Sequence, residues 1–236
     1  MAKEISYSIL DLATVLDGDN YTQTFEKSVK AAQAAEQFGY ERYWFSEHHN
    51  MPSVISAATS LLIGHIAQQT KTIRVGSGGI MLPNHTTLSI AEQFGTLDAM
   101  FPNRIDLGLG RAPGTDPLTA SVLRRGDENF NYNFEYHIQE LLRYFSKENE
   151  FAKVRAFPGE GANVPLYILG SSTDSAYLAA KLGMPYAFAG HFAPGQFQQA
   201  MEIYQSRFTP SKFLNHPYSI LCVSVFAAET EDEAQY

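Results

Sequence analysis

Apolar positions along this chain recur with two alternating periods. Short runs with the two-residue repeat of a strand give way to longer stretches with the three-to-four spacing of a helix face. Ile5 to Leu12 reads as a strand, and Thr22 to Phe38 as a helix aligning Phe25, Val29, Ala32 and Ala35. Gly39 then stands where a left-handed residue commonly ends a helix. The same reading gives a strand at Arg42–Ser46, a helix at Ser56–Gln69 and a strand at Ile73–Gly78. A helix carrying Ile90, Ala91, Phe94, Leu97 and Phe101 follows, broken by Pro102-Asn103. Further strands are predicted at Ile105–Leu109, Val164–Leu169, Tyr186–Ala189 and Ser219–Ala227. Helices are predicted at Asn129–Phe145, Ser175–Leu182 and Gly195–Phe208, and a last one begins at Glu229–Ala234.

Strands that alternate with helices imply a parallel sheet. The count is about seven strands, against the eight of a closed (β/α)8 barrel of typically about 250 residues. An open doubly wound sheet is the alternative. It lacks its usual mark here, because Gly108-Leu109-Gly110-Arg111-Ala112-Pro113 has no third glycine in register and no Walker loop is present. The barrel is therefore the preferred fold class. Small and charged residues gather where the strands end, at Glu47-His48-His49, at Gly76, Gly78 and Gly79, and at Gly110-Arg111. Strand-to-helix loops are where parallel α/β proteins bind ligands. The longest irregular stretch, Pro113 to Glu128, has the length of a functional loop.

Composition changes this picture little. The 236 residues suffice for one sizeable core, with no linker-like stretch, so residues 1–236 read as one domain. A net charge of -8 argues against nucleic acid or an acidic membrane as partner. Arg124-Arg125 reads as a solvated turn. The lone Cys222, in the apolar run Ile220–Ala228, reads as a buried thiol and excludes an intrachain disulfide. Met1-Ala2-Lys3-Glu4 does not open a signal peptide and no apolar run is long enough to span a bilayer, so the expected compartment is the cytoplasm.

The run Trp44-Phe45-Ser46-Glu47-His48-His49 is the densest group of titratable residues. A metal site, a structural hydrogen-bonding role and a catalytic or cofactor-polarising histidine all fit these residue types. Extended backbone sends His48 and His49 to opposite faces, which disfavours one shared ion. Residue pattern alone leaves the other two readings open.

Taken together, several segments resemble the bacterial luciferase-like, FMN-dependent monooxygenase family. They are SILDLA (Ser8–Ala13), WFSEHHNMP (Trp44–Pro52), VGSGGIMLPNH (Val75–His85), EQFGTLDAMFPNRIDLGLGRAPGTD (Glu92–Asp116), LGSSTDSAYLAAKLG (Leu169–Gly183) and AFAGHFAP (Ala187–Pro194). The resemblance implies a (β/α)8 barrel acting on FMN, reduced by a separate flavin reductase, and on oxygen, with a small organic substrate. A sister branch uses the deazaflavin F420, and a flavin-binding protein without turnover is a further alternative. By the same resemblance, His48 matches an active-site histidine near the flavin ring, and Gly78-Gly79 a non-proline cis peptide beneath it. Arg111 matches an arginine that contacts the FMN phosphate. Ser172 and Ser175, expected just before a helix, match hydroxyls at the same phosphate, with the loop N–H groups around Ser171 facing it. Plain helix capping by these serines is compatible with that role.

Two departures stand out. The family's luciferases carry a cysteine beside that arginine, where this chain has Gly110, so light emission is not implied. Family members also continue past the strand that ends near Ala228. The expectation is a shortened barrel lacking the eighth strand and last helices, with open edges at Ile5–Leu12 and Ser219–Ala227. Dimerisation is common in the family, and a homodimer is one way to cover apolar surface.

Overall fold

The computed structural model describes residues 5–126 and 132–235. Its Cα trace divides into two compact units, Met1–Tyr167 and Ile168–Tyr236. In the first unit the elements are β1 (Ser8–Asp11), α1 (Tyr21–Gln37), β2 (Arg42–Phe45), α2 (Thr59–Gln69), β3 (Arg74–Met81), α3 (Thr87–Met100), β4 (Ile105–Gly110), α4 (Pro117–Leu123) and α5 (Phe134–Phe145). The start of β5 (Leu166–Gly170) also belongs to it. The second unit holds the end of β5, then α6 (Thr173–Leu182), β6 (Tyr186–Ala189), α7 (Phe197–Arg207), β7 (Ser219–Cys222) and α8 (Glu231–Ala234).

Strand order equals chain order, β1 to β7, and every registered pair is parallel. A doubly wound sheet reverses its order at a switch point, and none occurs here. This is the sequential order of the (β/α)8 barrel class, carried through seven strands.

Within the first unit, each strand has two different faces. Tyr43, Phe45, Val75, Ile105, Leu107 and Leu109 make a continuous buried apolar surface, matched by Ile63, Ile66 and Ala67 of α2 and Ile90, Ala91, Phe94 and Leu97 of α3. The opposite parity carries Arg42, Trp44, Arg74 and Asp106. The Asp106 carboxylate accepts from Trp44 Nε1 (3.1 Å) and Arg74 Nε (2.9 Å), and Arg42 Nε lies 3.3 Å away. Arg42 Nη2 also reaches Tyr167 Oη at 3.2 Å. Two guanidiniums around one fully buried carboxylate lock β2, β3 and β4 in register.

Helix starts follow local chemistry. Asn20 and Gln23 form a reciprocal capping box on α1, and Asn133 caps α5 through Tyr136 N (2.9 Å). Near the end of α1, Glu36 accepts the backbone N–H groups of Lys71 (2.8 Å), Thr72 and Ile73 (2.9 Å), clasping the turn that feeds β3.

Several expected boundaries need correction. The first strand is Ser8–Asp11 rather than Ile5–Leu12, and the last is Ser219–Cys222 rather than Ser219–Ala227. In both cases the neighbour sets the length: β1 pairs residue for residue with the four-residue β2, and β7 with the four-residue β6. Beyond that ladder, Val223, Val225 and Phe226 are 57%, 77% and 80% exposed. Cys222 is accordingly half-buried rather than enclosed, and the burial it has pushes its thiol pKa up. The stretch Pro113–Glu128 is not wholly irregular, since it contains α4, capped by Asp116 through Thr119 N (3.0 Å). Arg124-Arg125 does form a turn after it, with Arg124 half-buried. The helix expected from Asn129 starts at Phe134, and Asn129–Asn131 would lie at or within residues 127–131, outside the described residues, as do Met1–Glu4 and Tyr236. Among the described residues no helix is long and apolar enough to cross a membrane.

Candidate active site

The C-terminal ends of β2, β3 and β4 carry most of the residues that the sequence singles out. After β2 the chain stays extended, so successive side chains alternate sides. Ser46 is buried, and its N–H donates to Asp11 O (3.1 Å). Its hydroxyl lies 3.2 Å from Ser56 Oγ and 3.0 Å from His48 Nδ1. His48 is half-buried and its ring is oriented through Nδ1 by a serine that is itself held.

Glu47 points the other way and is 1% exposed. Its carboxylate accepts from Met81 N (2.9 Å) and Asn84 Nδ2 (3.2 Å), and contacts His49 Nε2 at 2.8 Å and His85 Nε2 at 2.9 Å. Four partners match the roughly four acceptor positions of an ionised carboxylate. Burial pushes the Glu47 carboxyl pKa up, but the bonds from His49 and His85, the His85 charge and the Met81 N–H outweigh it and hold the group at about 2. The loop after β4 joins the cluster: Asn84 Nδ2 also donates to Pro113 O (2.8 Å), and His49 N to Gly114 O (3.1 Å). Gly114 has φ +65, and a Cβ there would stand 2.5 Å from Glu47 O, so only glycine lets this loop close.

On β3 the Gly78–Gly79 peptide is cis, and the β3–β4 register shifts between Ser77 and Ile80. A Cβ on Gly78 would meet Leu10 Cδ1 at 2.8 Å and Trp44 Cε3 at 3.0 Å, so this residue is backed by Trp44, the only tryptophan. Arg111 follows β4 directly and is exposed. At Gly110 a side chain would run into the Met81 thioether at 2.9 Å, which places the cysteine of the luciferases outside what this packing accepts without Met81 moving.

The serines belong to the second unit. Ser171 is half-buried in the turn after β5, and Ser172 is the N-cap of α6 with no side-chain cap bond. Ser175 lies in the first turn of α6, which begins at Thr173 rather than at or just after Ser175. Its hydroxyl donates to Ser172 O (2.6 Å) and lies 2.9 Å from Tyr186 Oη, which in turn donates to Ser172 O (3.2 Å). Ser175 thus steadies the turn from inside, while the Ser172 hydroxyl is not spent on capping.

His48, Gly78-Gly79 and Arg111 are therefore brought to the ends of three consecutive strands, and the serines stand at a helix start. Glu47, Asn84 and His85 were not among the expected site residues. Their residue types were visible, but the partners lie 34 to 38 positions apart and no spacing rule links them. Among the described residues, no group of three or more His, Cys, Asp or Glu is arranged to hold a metal ion.

Comparison with known proteins adds the context. The luciferase-like monooxygenase family profile matches residues 5–236. A protein of Escherichia coli (strain K12) named luciferase-like monooxygenase is 48% identical over 234 residues, which is 99% of this chain and 70% of the relative. The solved structure of apo-MsnO8 gives a TM-score of 0.92 at 35% identity, over 98% of this chain and 70% of that one. The oxygenating constituent of 3,6-diketocamphane monooxygenase from Pseudomonas putida, solved in complex with FMN, shares the fold with a TM-score of 0.73 at 20% identity, over 98% and 70% of the two chains. A match along nearly the whole chain, with relatives this close, means that the protein belongs to the luciferase-like monooxygenase family of enzymes.

Proposed function

We propose that this enzyme is the oxygenase of a two-component system, using FMN reduced by a separate flavin reductase and O2 to oxygenate a small organic substrate. The observation that carries this reading is the convergence of His48, Gly78-Gly79 and Arg111 on the C-terminal ends of β2, β3 and β4. A glycine pair without side chains suits the close approach of a flat ring, and an exposed guanidinium suits a phosphate. The FMN complex of a protein with the same fold, itself named an oxygenating constituent, supports the choice of flavin.

Reduced FMN would supply two electrons, so that one oxygen atom enters the substrate and the other leaves as water. The chain's own tasks are binding, orientation and proton handling. His48, held through Nδ1, is assigned proton transfer at the flavin ring, and the Gly78–Gly79 backbone the support beneath it. Arg111 is assigned the FMN phosphate by the family resemblance. Within the second unit, the Ser171 and Ser172 N–H groups and the Ser172 hydroxyl, at a helix start with its positive dipole end, are by the same resemblance suited to an anion. Ser175 is assigned an indirect part, through its bond to Ser172 O.

Anaerobic titration of the purified protein with FMNH2, oxidised FMN and reduced F420, followed by Trp44 emission, tests this function. FMNH2 should quench Trp44 and saturate at micromolar concentration or below. Preference for F420 over FMNH2 would overturn the oxygenase reading in favour of hydride transfer. FMNH2 that binds but is reoxidised by O2 in rapid-mixing absorbance as free FMNH2 is would leave a flavin-binding protein without turnover.

A further inference from the structure

We propose that Glu47 is a positioning residue of the flavin site, whose buried carboxylate ties the loops after β2, β3 and β4 into one platform beneath the cofactor. The inference rests on the flavin reading of these strand ends. It adds a residue that touches neither ring nor phosphate.

Glu47 is the immediate neighbour of His48, and its backbone direction sets where the His48 ring emerges. Its carboxylate takes the N–H of Met81, two residues beyond Gly79, and so pins the chain just past the Gly78–Gly79 peptide. Asn84 is shared between the carboxylate and Pro113 O, and His49 between the carboxylate and the β4 loop, through Gly114 O and its own carbonyl accepting from Thr115 Oγ1 (2.9 Å). His85 closes the set by contacting both carboxylate oxygens at 2.9 Å. The ends of β2, β3 and β4 are thereby referred to one anion. The carboxylate has no acceptor position left for solvent, and substituting it frees three loops at once.

A purely structural carboxylate offers the control. Glu36 also gathers backbone N–H groups, from Lys71 to Ile73, but at the opposite end of β3 from Met81. FMN affinity and the visible circular dichroism of bound FMN are measured for wild type, Glu47→Gln and Glu36→Gln, alongside thermal melts. Glu47→Gln should bind FMN about tenfold more weakly, because a displaced platform misplaces the ring, and should change the flavin dichroism. Glu36→Gln should melt earlier yet bind FMN as wild type does. Equal affinity and dichroism in wild type and Glu47→Gln would overturn the proposal. So would an equal loss of affinity in both variants, which would make the effect one of general stability. If Glu47→Gln does not fold, Asn84→Ala carries the test, since it cuts only the links to the carboxylate and Pro113 O. Its FMN affinity should fall several-fold, and no change overturns the proposal. Wild type that binds neither FMN nor FMNH2 removes the flavin reading itself, an outcome distinct from a bound flavin indifferent to Glu47.

Discussion

His48 and Arg111 are assigned to one cofactor by different physics, so their substitutions should separate. His48 is oriented by Ser46, which is oriented by Ser56, and its assigned task is moving a proton. His48→Ala should change the rate at which protein-bound FMNH2 is reoxidised by O2 in rapid-mixing absorbance by about a hundredfold while FMNH2 affinity shifts little. An unchanged rate of bound-flavin reoxidation would end that assignment. Arg111 is exposed and follows β4, and its assigned task is a charge-assisted bond worth about 1.5–3 kcal/mol. Arg111→Ala should therefore weaken FMN binding by about one to two orders of magnitude and leave riboflavin, which lacks the phosphate, nearly unaffected. Equal losses for the two ligands would contradict the phosphate role. At this scale the resemblance of the flanking runs led to the Gly78–Gly79 cis peptide and to the place of His48 just past β2. The sequence was uninformative for Ser175, whose hydroxyl direction depends on Tyr186, eleven residues away on β6.

Elements were legible wherever they carry their own signal. The apolar faces of α2, α3 and α5 emerge near the expected places because burial on one side enforces the period, whereas β2 and β4 are buried on both faces and are marked by their short apolar runs. Strand length was not legible, because a ladder ends where its neighbour ends, and β1 and β7 stop with β2 and β6. α4 was missed for another reason: only Ala120 is buried, while Leu118 and Val122 are 76% and 71% exposed, so no core-facing stripe announces it. The polar layer beneath the site follows from no local pattern either, since Asp106 meets Arg42, Arg74 and Trp44 across three strands. It yields an element-scale prediction. Asp106→Ala leaves two guanidiniums without their buried carboxylate and should cost about 3–5 kcal/mol in urea denaturation. A loss under about 1 kcal/mol would show that the layer does not hold β2, β3 and β4 together.

For the whole molecule, Glu36, Glu47, Asp116 and Glu160 among the described residues have depressed carboxyl pKa values and share in the acid limit of stability, Glu47 as the buried one of the four. Glu47 and Glu36 are both held at about 2, against an ordinary value of 4.5. For Glu36, burial again acts upward and the N–H groups of Thr72, Ile73 and Lys71 and the Thr72 hydroxyl prevail. A carboxylate whose folded pKa is depressed contributes stability that is fully present above its unfolded pKa and is lost as pH falls through the folded one. Unfolding free energy should thus hold steady above about pH 5 and fall between about pH 4.5 and pH 2. Glu47 alone accounts for about 3 kcal/mol of that fall. Glu47→Gln should flatten this part of the profile, as measured by chemical denaturation at a series of pH values. An unaltered slope would show that its carboxylate is not held as the structure has it. The alternation of strands and helices was readable at this scale from periodicity, the barrel over the doubly wound sheet from the missing dinucleotide fingerprint, and the family from six motifs in order. The clasp among the loops was not, because it joins positions that only the folded chain brings together.

Reduced FMN is assigned to the ends of β2, β3 and β4, and a crystal structure of the protein soaked anaerobically with FMNH2 tests that assignment without an intermediary. The isoalloxazine ring should lie in van der Waals contact with Gly78–Gly79 and beside His48, with the Glu47 clasp intact behind it. Flavin density elsewhere on the protein, or none at saturating FMNH2, would contradict the assignment.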